Sequence, residues 1–208
     1  MRWVPAIIYM VLLLPSSAMP PSAVPQFKNG IRPEQCLGGS PDAPIRIEVF
    51  SDFQCTHCRD FFLNTISKVL KEYCSVNKVC VVYREFPLPP NKHSRRAAQY
   101  SKAAQKLGRE QWLAVITALY ENQSAWSGDG SIGAVVSKAL SPDDYSRLND
   151  LLRGPEIDAE VAREFAMGEK NKIVMTPTVF VHALGKEQRV SGILPYATLK
   201  TFFDNVLK

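Results

Sequence analysis

The sequence predicts an α/β chain with a helical block set inside it. Three observations carry this. Ile45-Arg46-Ile47-Glu48-Val49-Phe50 is β-branched and apolar, and a helix-period stretch follows it. Residues 93–170 read as helix throughout. Beta character then returns at Thr178-Val179-Phe180-Val181. The predicted order is strand, helix, strand, a block of helices, two strands, helix. With 208 residues, 46% apolar and 22% charged, the chain is neither disordered, collagen-like nor a multi-span membrane protein. Its formal charge of +5 is scattered, with no basic block longer than Arg95-Arg96. No nucleic-acid recognition motif accompanies it, so no nucleic-acid partner is expected.

Each element has its own signal. Arg2, the apolar run Trp3 to Leu14 and Pro15-Ser16-Ser17-Ala18 have the three parts of a secretory signal, assigned to residues 1–18. Cleavage fits after Ala18 or after Ala23. The run is short of the ~20 residues that span a bilayer; an uncleaved signal would make it a membrane anchor. Export makes disulfides permissible and places the protein in the periplasm or another extracytoplasmic space. Eight of the 15 prolines lie in residues 1–44, so 19–44 reads as an extended lead-in, with folded structure expected from Ile45. A helix from about Cys55 to Tyr73 places Phe62, Ile66, Val69, Leu70 and Tyr73 on one face. Val79 to Phe86 reads as a strand ended by Pro87, Pro89 and Pro90. In the helical block, Gly108 stops a first helix, and Trp112, Ile116, Leu119 and Tyr120 line the next. Ser141-Pro142 caps another, and Gly154-Pro155 breaks the chain again. Gly185-Lys186 suits a hairpin turn between two strands, and Pro195 to Leu207 closes as a helix.

The chemistry sits at Cys55-Thr56-His57-Cys58. One helical turn brings two such Cα atoms to roughly 5–6 Å, the span a disulfide needs. The first sulfur lies at a helix N-terminus, where free amides and the macrodipole favour thiolate. A stabilised thiolate leaves easily, so the disulfide form is readily given away. His57 adds a cationic or hydrogen-bonding group. Two other readings exist: a zinc half-site and an inert disulfide. Zinc needs four ligands, and among Cys36, Cys74, Cys80, His93 and His182 the one further close pair is Cys74/Cys80.

These residues resemble the DsbA-like branch of the thioredoxin superfamily. The resemblance rests on Cys55-Thr56-His57-Cys58 after a strand, a helical insertion, and Met175-Thr176-Pro177-Thr178 entering a later strand. Gly39-Ser40-Pro41-Asp42-Ala43-Pro44, Ser51-Asp52-Phe53-Gln54 and Tyr83-Arg84-Glu85-Phe86-Pro87-Leu88 also match. It covers about Gly38 to Lys208. It implies a thioredoxin-like core, 45–90 plus 171–208, with a helical insertion domain at 91–170. It implies Cys55 as the exchange-active sulfur, Cys58 as the resolving one, His57 and Thr56 as tuning residues, and a cis Thr176–Pro177 bond where substrate docks. It implies no metal and no cofactor beyond the Cys55–Cys58 disulfide. Partners would be reduced, unfolded exported proteins and a quinone-coupled membrane reoxidant of DsbB or VKOR type. One departure stands out. Most members of the family it resembles carry a buried acid six residues before the first cysteine, and Val49 occupies that place. Glu48 is next to it, but strand alternation turns it to the other face.

The remaining residues are read more plainly. Cys74 and Cys80 are expected to form a structural disulfide clamping the turn between helix and strand, with two buried thiols as the alternative. Cys36 is then left over in an exposed setting, as an incidental thiol or an intermolecular bridge. His93 and His182 are expected to be surface or capping residues. Trp126, in a polar stretch, is either core or the edge of a substrate groove. A reductase or isomerase of the same fold, a non-catalytic peptide-binding or chaperone module, and a metal-binding protein are the rivals to an oxidase.

Overall fold

Strand β2 (Ile45–Ser51) is the spine of the molecule. In a computed structural model that describes residues 30–208, it lies at the centre of a five-stranded sheet ordered β1-β3-β2-β4-β5. The expected signal peptide, residues 1–18, and the first part of the expected lead-in lie outside the described residues. Strand β3 (Val79–Glu85) runs parallel to β2, and the rest pair antiparallel: β1 (Cys36–Gly38) on β3, β4 (Thr178–Ala183) on β2, and β5 (Lys186–Ser191) on β4. β3 is buried at every position, which matches its near-continuous apolar sequence. Between β2 and β3 the chain forms α1 (Thr56–Phe61), a π-helical stretch (Phe62–Ile66), α2 (Ser67–Val69) and a second π stretch (Leu70–Cys74) without a break. Phe62, Ile66, Val69 and Tyr73 all face the core.

Between β3 and β4 come α3 (Ser94–Leu107), α4 (Arg109–Glu121), α5 (Gln123–Trp126), α6 (Ile132–Ala139), α7 (Pro142–Leu151) and α8 (Pro155–Lys170). The Ser141 hydroxyl caps α7 through the Asp144 N–H, with Pro142 opening the helix. Helix α9 (Tyr196–Val206) ends the fold. One large core joins the α1 side of the sheet to the helical block. A smaller one, of Phe50, Phe86, Ile173 and Phe180, lies on the opposite face. Among the described residues no helix is long and apolar enough to cross a membrane.

Three expectations change, and the open reading of Trp126 resolves to core. Folded structure begins before Ile45, because Cys36-Leu37-Gly38 forms the edge strand β1. Gly39 follows it at φ +81°, where an added Cβ would sit 1.9 Å from the Val79 carbonyl oxygen. The disulfide is Cys36–Cys80, with Cα atoms 5.7 Å apart, and Cys74–Cys80 does not form. Strand alternation is the reason. Val79 and Val81 point to the α1 side, where Cys74 also packs, whereas Cys80 and Val82 point to the other side with Ile31, Cys36 and Ala43. Cys74 and Cys80 are thus on opposite faces of the sheet. Cys36 is 1% exposed rather than left over at the surface. Trp126 is fully buried, its indole N–H donating to the Leu119 carbonyl at 2.8 Å, so it edges no groove.

Candidate active site

The site forms where β2 ends. Ser51 closes the strand, Asp52-Phe53-Gln54 turn, and Cys55 becomes the N-cap of α1. The Cys55 carbonyl accepts the Arg59 N–H at 3.1 Å, starting the helix, while the sulfur stays half-buried beside free amides. Its pKa is pulled down to about 6. The largest cause is hydrogen bonding from the Cys58 thiol, against which burial works. Thr176 and the backbone N–H groups of Cys58 and His57 add to it. Cys58 is one turn on and 1% exposed. Burial pushes it well above the usual thiol range, and the neighbouring Cys55 adds to the shift. Both cysteines are thiols here.

The Thr176–Pro177 bond is cis. The Cys55 thiol donates to the Thr176 carbonyl at 3.4 Å, and the buried Thr176 hydroxyl has no hydrogen-bond partner. The structure therefore brings Cys55, Cys58, Thr176 and Pro177 together. Thr56 and His57 are exposed on the first turn of α1, and His57 reaches Cys55 through its backbone N–H. Cys74 and Cys80 lie elsewhere. So does His182, half-buried beside Glu48 and Glu187. His93 is the N-cap of α3, and its N–H donates to the Gln54 side chain.

Several residues that shape the site gave no motif signal. The Asp52 carboxylate is buried. It accepts from the backbone N–H of Gln54 at 2.7 Å and of Leu88 at 2.7 Å, from Asn91 Nδ2 at 2.8 Å and from the Ser94 hydroxyl. It pins the turn to the chain after β3 and to the start of α3. Gln123 of α5 donates from Nε2 to the carbonyls of Phe53 at 2.7 Å and Cys55 at 3.1 Å. Gln54 in turn donates to the Ser127 carbonyl at 2.9 Å. The helical block thus holds the cysteine turn from above, through pairs far apart in sequence. Asp52 stood inside a quoted motif, but its role depends on partners up to 42 positions away.

Val49 is buried in the main core. Glu48 is on the opposite face, 2.6 Å from Arg84 Nε. Burial opposes its ionisation, but hydrogen bonding to His182 and the Arg84 guanidinium outweigh it and bring Glu48 to about 2. It stays ionised and faces away from Cys58.

A family model described as "Thioredoxin" matches residues 32–205. The chain belongs to the thioredoxin family. Within it the protein is DsbA-like. "Probable disulfide bond formation protein D" of Bacillus cereus is 24% identical over 148 residues, covering 69% of this chain and 68% of that protein. Among solved structures, Wolbachia pipientis alpha-DsbA1 superposes with a TM-score of 0.68 at 20% identity, over 81% of this chain and 88% of that one. Oxidised BdbD of Bacillus subtilis gives 0.67 at 21%, over 81% and 90%. This DsbA-like chain is a thiol:disulfide oxidoreductase. Among its described residues, no group of three or more His, Cys, Asp or Glu could hold a metal.

Proposed function

We propose that the protein is exported and donates its Cys55–Cys58 disulfide to reduced, unfolded exported proteins. The observation that carries this is the asymmetry of the two sulfurs: Cys55 half-exposed with acidity near 6, Cys58 buried and far less acidic. A substrate thiolate attacks Cys55 Sγ, and the bond's electron pair leaves on Cys58. The substrate's second thiolate then attacks its own first sulfur in the mixed disulfide and expels Cys55. At neutral pH Cys55 leaves as a stabilised thiolate, which favours giving the disulfide away. The Thr176 backbone beside cis Pro177 receives the substrate chain. Val174, Met175 and Ile193 are exposed around it, at 84%, 48% and 44%, and offer apolar contact to an unfolded segment. His57 and Thr56, solvent-facing on the first turn, tune the potential. A quinone-coupled membrane protein of DsbB or VKOR type restores the disulfide by taking two electrons.

The Cys36–Cys80 bridge supports residence in an oxidising compartment. The deciding experiment equilibrates the full mature chain with glutathione redox buffers and reads the Cys55–Cys58 state by alkylation and mass. A potential well above the thioredoxin value, about −270 mV, is expected. A value at or below it would make the protein a reductase fed by an electron donor.

A further inference from the structure

Beneath Cys58 lies a row of buried hydroxyls that the site as described does not use. Ser51 is the last residue of β2, Tyr83 is on β3, and Tyr120 is on α4. The hydroxyls of Ser51 and Tyr120 are 2.8 Å apart, and the Tyr120 and Tyr83 hydroxyls are hydrogen-bonded to each other. Ser51, Tyr83 and Tyr120 are 2%, 1% and 0% exposed. The Asp52 backbone N–H donates to Cys58 Sγ at 3.5 Å, which sets the sulfur beside the Ser51–Asp52 peptide. The Ser51 side chain eases the ionisation of Cys58, and both phenols sense its charge. Phe53 and Phe62 pack against both tyrosine rings at centroid distances of 5.0–6.3 Å, which fixes where the phenols point. The register adds a second observation. Tyr83 is the β3 partner of Val49, the position where the resemblance leads one to expect an acid. Val49 and Tyr83 both face the main core, on the side of the sheet where Cys58 packs.

We propose that Ser51 hydrogen-bonds the Cys58 thiolate as it leaves, and that Tyr120 and Tyr83 act through Ser51 as positioning residues. The inference rests on the exchange reaction proposed above. When substrate attacks Cys55, one S–S bond forms, one breaks, and the electron pair stays on Cys58 in a site that disfavours charge. Ser51 O–H then donates to the sulfur, Tyr120 O–H to Ser51, and Tyr83 O–H to Tyr120. Three dipoles align on one anion. A hydroxyl row can reverse direction by rotating its protons, so it also accommodates the neutral thiol. The proton that Cys58 finally takes balances the one lost by the substrate's second thiol as it ionises. The titratable groups around the row are Cys55 from the helix start, Tyr83 and Glu85 from β3, Tyr120 from α4 and Asp52 from the turn. Lys102 of α3 and Glu164 of α8 face Glu85 behind it.

The test uses the oxidised mature chain and follows its reduction by glutathione by quenched alkylation, from pH 5 to 9. Ser51→Ala, Tyr120→Phe and Tyr83→Phe are compared with the unchanged protein. Ser51→Ala is expected to slow reduction about tenfold or more, the weight of a hydrogen bond to a charged acceptor. The two phenylalanine variants, which keep the packed rings, should slow it less, and Ser51→Thr should recover most of the rate. In all four the glutathione equilibrium should move far less than the rate, because Cys58 ends as a neutral thiol, while the pKa of Cys55 stays near that of the unchanged protein. If Ser51→Ala does not fold, Tyr120→Phe decides. Folded variants that match the unchanged protein in rate overturn the hydroxyl row and leave the exchange reaction standing. An unchanged protein that does not exchange with glutathione overturns the exchange reaction itself.

Discussion

The helix that starts at Cys55 ends at Cys74, and the two thiols are opposites. Cys55 is brought down to about 6, chiefly by the hydrogen bond from Cys58 and then by Thr176 and the amides of the first turn. Cys74 is pushed up to about 12 by burial, which its contact with the Val81 backbone and the distant Arg109 charge do not offset. The residue type and the helix are the same. What differs is which helix end the sulfur meets and whether N–H and O–H donors surround it. Reactivity here is a property of position along one helix, and counting cysteines could not reveal it.

The comparison can be broken most sharply by alkylation. At pH 7 a thiol near 6 is mostly thiolate, and one near 12 is thiolate in roughly one molecule in 10⁵; the more basic thiolate is the stronger nucleophile, which returns part of that factor, so the initial rates at Cys55 and Cys74 should differ by about a hundredfold or more. Iodoacetamide labelling of the reduced native protein, read by peptide mass, checks it. Labelling of Cys74 on the timescale of Cys55 would mean that its pocket opens freely. The same contrast sets a pH dependence. The folded pKa of Cys55 lies below that of an unfolded thiol, so the dithiol form gains stability as pH rises from about 6 toward about 9 and loses it as pH falls through 6. The disulfide form has no such group. Urea titrations of the two forms should therefore converge toward acid pH and diverge in mildly alkaline solution, in favour of the dithiol. Parallel curves would remove the thiolate as the source of the oxidising tendency.

The third cysteine region, Cys36–Cys80, gives the next largest effect. The bridge spans 44 positions and ties β1 to β3. Cys80→Ser should cost about 3–4 kcal/mol in the loop-entropy account, with thiol exchange at Cys55 retained in the folded fraction. A loss of a few tenths would mean that β1 is held by its strand pairing alone. This bridge also shows where the sequence stops being legible. The CxxC turn, the helix behind it and the Thr-Pro entering β4 were readable because each is local: a spacing, a period, a turn. The pairing of Cys80 required knowing which face of β3 looks at which element. Alternation along Val79 to Val82 already excluded Cys74, but only once Cys74 was placed on the α1 side of the sheet. β1 itself is three residues long in a proline-rich stretch, too short for any periodicity to register. Asp52, Gln123 and Ser51 were invisible as site residues for the same reason, since each matters through partners 42 to 70 positions away.

Gln123 offers the finest cut, because it separates the two causes of Cys55 acidity. Its amide bolts the turn through the Phe53 and Cys55 carbonyls, yet it does not touch the sulfur. Gln123→Ala leaves a buried carbonyl without its donor, at a cost of about 1–3 kcal/mol, measurable in urea. The donors to Cys55 itself belong to α1 and to Thr176. If those suffice, thiolate absorbance will still place Cys55 near 6 in the weakened protein. If the acidity instead drifts back toward that of an ordinary thiol, the helix start is not enough by itself. The helical block must then aim the turn, and the gap between the two ends of the helix is set as much by that clamp as by the amides of the first turn.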